Sequence, residues 1–406
     1  MNSSILSRPG GLPKIDRRRP LRVSESLLSA SEEQDDLRRV MTSLLASKSS
    51  PEHVRQHALM PRGYDERLWG TLSREIGVAG LAVPEIYGGL GMTFTDLTVV
   101  LEEAGRYLLC SPLLTTVVLA TTALVRSGDD KACLKYLPGI VNGSTTATLA
   151  GTSGRPGRRV TGIQTSTGWV LDGDVDFVLD GADADLVLVL ADTALGSTLF
   201  AVEARNESVL RTPREVLDPS RRQAHLVFRA APATQIGTPD DGVPATSYAL
   251  DVGRAALAAE QVGASAHALG ACVEFVQHRR QFGRPIGSFQ ALKHRLADLL
   301  VELEGARSAA GYAAACVTSG DPDLPLASAA AQVVCSQTLD LAAREYVQMH
   351  GGIGFTWEHP AHLYVRRARA DAVLFGTVGD HRSRVAEMLG LDKTPDAASR
   401  DHRREE

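Results

Sequence analysis

No apolar run in this chain reaches the ~18 residues that a membrane-spanning helix needs. There is no excess of positive charge either. The formal net charge is −5, and nothing in the composition points to nucleic acid as a partner. Metal-ligand spacing is missing as well. The five cysteines, Cys110, Cys133, Cys272, Cys316 and Cys335, form no CxxC pair and no Cys/His pattern. They lie in apolar or alanine-rich segments, so the expectation is buried thiols in a reducing, cytoplasmic setting. The first thirty residues carry Arg8, Lys14, Arg17, Arg18, Arg19 and Arg22 among prolines but have no apolar core. That excludes a secretory signal. An arginine-rich leader is compatible with an organelle transit peptide, but a disordered basic tail is the preferred expectation. The polar stretch after Lys393 is expected to be a second disordered tail.

What is present is ordinary for a globular protein. Of 406 residues, 44% are hydrophobic and 22% charged, and the length predicts two or three domains. Residues 31–144 read as helical. Leu37, Val40, Met41, Leu44 and Leu45 recur at helical spacing behind Ser31 and an acidic first turn. A second helix is expected over Asp65–Gly77. Pro84 and the glycines Gly88, Gly89 and Gly91 then impose a tight loop. Thr95 or Asp96 is expected to cap a helix over Leu97–Arg106. The stretch after Pro112, LLTTVVLATTALV, is apolar nearly all round. Such a helix is either core or the wall of an apolar cavity.

Near Gly143 the pattern changes. TATLAG, GWVLDG, DFVLDG, DLVLVLAD, STLFAVEA and AHLVFRA are short strand-forming runs between Gly, Asp and Ser turns. They predict an all-β domain over 145–240, a sandwich or a barrel. From 241 to 392 the chain returns to helix. The pattern predicts one long alanine-rich helix running to His278, with others over Phe289–Cys316, Pro325–His350 and Val378–Leu389. The predicted fold class is therefore mainly α with a central β domain: helical domain, β domain, helical bundle.

Two stretches stand out chemically. RRQFGRPIGSFQALKHR at 279–295 breaks a helix at Gly283-Arg284-Pro285 and opens another. Basic residues beside a helix N-terminus suit an anion such as a phosphate, although a solvated basic loop has the same composition. QMHGGIGF at 348–355 is followed by Arg366, Arg367 and Arg369, which read as a basic patch, and by the turn Phe375-Gly376-Thr377.

Together with PEIYGGLG at 84–91, these stretches resemble the acyl-CoA dehydrogenase family in order and spacing. The resemblance runs from about Glu33 to Leu389. It implies a homo- or heterotetramer with FAD at a subunit interface. In such enzymes the equivalents of Arg279, Phe282 and Gln290 reach FAD held mainly by a neighbouring subunit. The equivalents of Gln348, Gly351 and Gly352 contact its adenosine–pyrophosphate end, and Thr377 belongs to the cofactor-contacting set. The implied substrate is an acyl-CoA thioester. A carboxylate removes the Cα proton while the Cβ hydride passes to the flavin, and an electron-transfer flavoprotein accepts the electrons.

The chain departs from that pattern where the chemistry lies. Most members carry a glutamate immediately before the Gly-Thr pair, where this chain has Phe375. A minority place it on the first long bundle helix before an arginine, where this chain has Gly253-Arg254. The flavin-ring loop and strand of the family correspond here to AGTSGRPGRR (150–159) and Phe177-Val178-Leu179, with Leu179 in place of a hydroxyl. Asp380 is a weak substitute base, and its spacing from Thr377 also suits a capping box. Glu260, Asp371, His350 and His381 read as structural. Three functions stay open: a dehydrogenase with an unrecognised base, a base-lacking subunit paired with a sister chain, and other flavin chemistry such as oxygenation.

Overall fold

A computed structural model of the chain describes residues 31–151, 160–203 and 207–391. The tails expected at 1–30 and 393–406 lie outside the described residues, as does most of the 150–159 loop. Helix α1 (Glu32–Lys48) starts where the sequence predicts. The Ser31 hydroxyl accepts from the Gln34 N–H, and the Gln34 side chain accepts from the Ser31 N–H. Helices α2 (Pro51–His57) and α3 (Glu66–Gly70) follow, and α3 widens into a π-helical turn at Thr71–Glu75. Helix α4 (Phe94–Arg106) is capped by Thr93, not by Thr95 or Asp96, and opens three residues earlier than expected. Asp96 completes the box by accepting from the Thr93 N–H at 2.8 Å. The apolar stretch forms a π-helical segment, Leu113–Ala120, that runs into α5 (Thr121–Arg126), and α6 (Asp130–Val141) follows.

Seven strands come next: β1 (Ala147–Ala150), β2 (Val160–Thr165), β3 (Gly168–Leu179), β4 (Leu186–Thr193), β5 (Gly196–Glu203), β6 (Val209–Pro213) and β7 (Gln223–Ile236). The pairings β4–β2, β2–β3, β3–β7, β7–β5 and β5–β4 return to their start. Of the two forms the sequence allows, the sheet is thus a closed barrel, which leaves few open edges. GWVLDG and DFVLDG, two strands by sequence, form the single strand β3, bent by two register shifts against β7. β2 and β6 fall outside the predicted runs, because most of their side chains are exposed or half-buried and give no apolar pattern.

The chain then enters α7 (Gly242–His278), of 37 residues. A two-residue-strand hairpin, β8 (Arg280–Gln281) with β9 (Arg284–Pro285), leads into α8 (Gln290–Ser319) and α9 (Leu324–His350). Helix α10 (Ala361–Asp371), absent from the sequence expectation, precedes α11 (Val378–Met388). The expected basic patch is corrected here, because its arginines are used within the fold. Arg367 is 2% exposed and bonds Asp218 at 2.8 Å and the Ser220 hydroxyl at 2.7 Å. Arg369 pairs with Asp340, and Arg366 lies over the Trp357 ring. All five cysteines are free and buried, as expected.

Helices α4 and α7 cross with backbones in contact. A Cβ on Gly105 would collide with the Glu260 carbonyl, and one on Gly263 with the Glu102 carbonyl. These two glycines set the spacing between the first helices and the bundle.

Candidate active site

The site is built on the mid-length of α7 and the turn that follows α10. Phe375 sits in that turn at φ +59°, a left-handed conformation that a non-glycine residue adopts only when its surroundings hold it. Its carbonyl accepts from Arg254 Nε at 3.2 Å and Nη2 at 3.1 Å. Its ring is 1% exposed and faces Gly253: a Cβ there would lie 3.6 Å from Phe375 Cε2 and 2.6 Å from Leu119 Cδ2. The two positions where the family resemblance seeks a base thus meet at one point. Phenylalanine fills it from one side. The space for a side chain on the other is already taken by Leu119.

Nearby carboxylates are committed elsewhere. Asp380 is exposed and accepts from the Thr377 N–H and hydroxyl at 2.8 and 2.7 Å, while the Thr377 hydroxyl accepts from the Asp380 N–H. These bonds hold its carboxyl below the usual range. Asp251 is buried between Arg254 and Arg384, both at 2.7 Å. Glu260 is buried against Arg221, which also reaches Asp371 at 3.3 Å. Asp218, Arg221 and Arg367, which complete this buried cluster, carry no recognisable sequence signal, because the loop holding Asp218 and Arg221 reaches α7 and α10 only through the tertiary fold.

On the barrel side, Leu179 is buried, and its carbonyl accepts from the Thr148 hydroxyl at 2.6 Å. Phe177 and Asp180 flank it with positive φ. The Asp180 carboxylate accepts from the Thr115 hydroxyl at 2.7 Å, and burial pushes the Asp180 carboxyl up to about 6.

His381 is 3% exposed behind the Gly376 turn, and its Nε2 has no partner among the described residues. Burial, reinforced by Arg254 and Arg384, pushes it down to about 4, and burial does the same to His267 and His359. An unfolded histidine titrates near 6.5, so between those values the unfolded chain binds more protons and stability falls as pH drops. The raised carboxyls of Asp180 and Asp371 act in the opposite sense, but they are two groups against six histidines, since His57, His350 and His362 are also pushed down by burial. The urea midpoint is expected to fall from pH 7 to pH 5, and to fall less in His381→Asn.

The nucleotide-contacting candidates lie at one end of the bundle. The Phe275 ring of α7 packs at a tilt against the His350 ring of α9, with centroids 4.2 Å apart, and this ties together the helix ends that lead into the 279–290 and 351–355 segments. Arg279, Gln290, Gln348, Gly351 and Gly352 are exposed, and Phe282 is 89% exposed. Added Cβ atoms at Gly283, Gly351 and Gly352 would meet nothing within 4 Å. No side chain caps the α8 N-terminus. Free N–H groups, an open backbone, an exposed aromatic ring and arginine together suit a nucleotide phosphate. Arg279 is 26 residues along α7 from Gly253. At 1.5 Å per residue this separates the nucleotide face from Phe375 by about 39 Å.

A cavity of about 570 Å³ lies between α4, the Leu113–Arg126 segment and α7, lined by Leu97, Val117, Val118, Tyr248 and Val252 among others. The apolar stretch is therefore both core and cavity wall: Leu119 and Leu124 pack inward, while Val117 and Val118 line the cavity. Among the described residues no group of side chains has the makings of a metal site.

A helical segment, a closed barrel and a helical bundle make up the fold, and the candidate nucleotide-contacting residues are exposed at one end of the bundle. The family models "Acyl-CoA dehydrogenase, N-terminal domain" and "Acyl-CoA dehydrogenase, C-terminal domain" match residues 31–144 and 240–390. The chain belongs to the acyl-CoA dehydrogenase family, oxidoreductases that act on CH–CH groups, use FAD and are typically tetrameric. It is 36% identical over 348 residues to acyl-CoA dehydrogenase IpdE2 of Mycobacterium tuberculosis, covering 86% of this chain and 94% of that protein. A structure of a variant of the Tcur3481–Tcur3483 steroid ACAD aligns with TM-score 0.79 and 30% identity, covering 89% of this chain and 98% of its own. The ChsE4–ChsE5 complex of M. tuberculosis aligns with TM-score 0.81 and 29% identity, covering 91% and 99%.

Proposed function

We propose that this chain is the base-lacking subunit of a heteromeric acyl-CoA dehydrogenase. It contributes half of an FAD site to a sister chain that carries the glutamate. The observation that carries this reading is the contrast between its two ends. The base point is filled by Phe375 and Leu119, while the nucleotide face about 39 Å away along α7 is exposed and its donors are open. One chain's nucleotide face cannot serve its own base point over that distance, so the two ends belong to sites completed by different chains. The ChsE4–ChsE5 and Tcur3481–Tcur3483 structures, each named for two proteins, support a paired assembly.

In that assembly Arg279 and the α8 N-terminus hold the pyrophosphate, Phe282 and Gln290 pack along the cofactor, and Gln348, Gly351 and Gly352 admit its adenosine end. Thr377, which caps α11 two residues after Phe375, lies at the other end and would contact only a cofactor held there. When bound, FAD supplies the two-electron oxidation. The proton goes to the sister chain's carboxylate, because this chain has no free carboxylate at Phe375. An electron-transfer flavoprotein is the fitting electron acceptor. The substrate class is an acyl-CoA of lipid or steroid origin, the latter suggested by the name of the Tcur3481–Tcur3483 pair. The five free, buried cysteines favour a cytoplasmic setting. An independent dehydrogenase would need a base that no nearby carboxylate supplies. Oxygenation would need a flavin-ring site, which Leu179 does not support.

The test is purification of the chain alone and with its sister chain. The expected result is a colourless, inactive single chain and a yellow complex bleached by acyl-CoA. Arg279→Ala in this chain is expected to weaken flavin retention by the complex about tenfold, read by dialysis and absorbance. A yellow protein, bleachable by acyl-CoA and made from this chain alone, would overturn the reading.

A further inference from the structure

We infer that a second, smaller cavity, enclosed by the α1–α2 corner, α7 and α10, is a binding site for a neutral ring alcohol of phenol size. The inference is independent of the subunit reading. Three features carry it. The first is place. Val54 of α2, Leu108 beyond α4, His267 of α7, and Leu363 and Tyr364 of α10 wall the cavity. It shares no residue with the base point or with the nucleotide-contacting set. His267 is 14 residues along α7 from Gly253 and 12 from Arg279. At 1.5 Å per residue these separations are about 21 Å and 18 Å. The mouth is reached from solvent, since Ala46 is exposed there and Ser50 is half-buried.

The second feature is size. The volume is about 160 Å³. That is below the ~300 Å³ at which sites for larger ligands begin, and close to the ~150 Å³ apolar cavity that accepts benzene. The apolar walls therefore reward a single ring and leave no space for a long acyl chain.

The third is an uncommitted polar group in the wall. Three nearby hydroxyls are already used. Ser49 donates to the Tyr107 carbonyl at 3.1 Å, Ser50 is bonded to His53 Nδ1 at 3.0 Å, and Tyr364 donates to the Arg106 carbonyl at 2.7 Å. The His267 imidazole has no hydrogen-bond partner among the described residues. Its plane is fixed, because it lies parallel to the Tyr364 ring with centroids 4.8 Å apart and edge-on to Tyr346. Burial, and then the charge of Arg106, pushes it down to about 4. At neutral pH it therefore presents one N–H donor and one bare nitrogen. A hydroxyl both donates and accepts, so it satisfies either nitrogen. A carboxylate would lose its water to a neutral partner and gain too little in return.

The test is titration of the full chain with phenol, toluene and benzoate, followed by NMR. Phenol is expected to bind saturably with a Kd of about 0.1–1 mM, in keeping with its size. His267→Phe keeps the ring and its stacking but removes both nitrogens. It is expected to weaken phenol about tenfold and leave toluene, which has the same shape, no weaker. Ala46→Trp, a change at the exposed mouth, is expected to abolish binding of both. Imidazole nitrogen signals of the unsubstituted chain read the same contact without a variant, and phenol is expected to shift those of one histidine. No saturable phenol binding, no shifted histidine, or phenol unaffected by His267→Phe would overturn the inference. So would benzoate binding as tightly as phenol, because the site would then select an anion, and so would phenol binding that survives Ala46→Trp.

Discussion

Phe375→Glu leaves the isolated chain unable to oxidise acyl-CoA and lowers its stability by about 3 kcal/mol. The glutamate restores the residue type that the resemblance places there, yet the surroundings do not suit it. Phe375 is fully buried against Leu119 and the bare backbone of Gly253. A carboxylate there leaves a gap where the ring was and loses water without gaining a free cation. Arg254, the nearest guanidinium, is already engaged by Asp251 and by the Phe375 carbonyl. Burial then raises the new carboxyl's pKa, so that it stays protonated and is no base. Leu179 still offers no hydroxyl to a flavin ring. The checks are urea unfolding at neutral pH and an acyl-CoA oxidation assay with an artificial electron acceptor. Robust oxidation by this single variant would mean that the site needed only a base, and the subunit reading would fail.

Gly263→Ala is expected to cost about 3 kcal/mol, the upper range for forcing a methyl group into a packed contact. The added Cβ meets the Glu102 carbonyl of α4, which is backbone and cannot rotate away. Relief requires the two helices to separate along their crossing. Gly105→Ala forces the same separation from the other side, so the double variant is expected to cost less than the sum of the two singles. Gly270→Ala is the internal control. It lies on the same helix with nothing within 4 Å of its added Cβ, and it is expected to gain about 0.5–1 kcal/mol from helix propensity. Urea midpoints of the four variants decide the matter. Equal losses at Gly263 and Gly270 would show that the crossing is not the cause.

Local chemistry makes much of the architecture readable in advance. Ser31 with Gln34, and Thr377 with Asp380, are capping boxes whose bonds form within four residues. The alanine-rich run of α7 and the buried thiols follow from short-range pattern and composition. That Phe375 and Gly253 carry no carboxylate is also read directly, once the resemblance picks out those positions. What escapes depends on neighbours distant in the chain. The strands β2 and β6 have few buried side chains, so no apolar run marks them, and the barrel holds them by pairing alone. α10 reads as a basic patch because arginine codes for charge. Arg367 is in fact buried, since Asp218, 149 residues earlier, neutralises it.

The sequence by itself determined that Phe375 and Gly253, the positions the resemblance singles out for a base, carry no carboxylate, because a side chain's chemistry is written residue by residue. Only the tertiary structure decided that the two empty positions are one place, closed by Leu119. It alone put the exposed Arg279 end of α7 about 39 Å away along the same helix. These are matters of distance between residues far apart in the chain, which packing sets and local pattern does not encode.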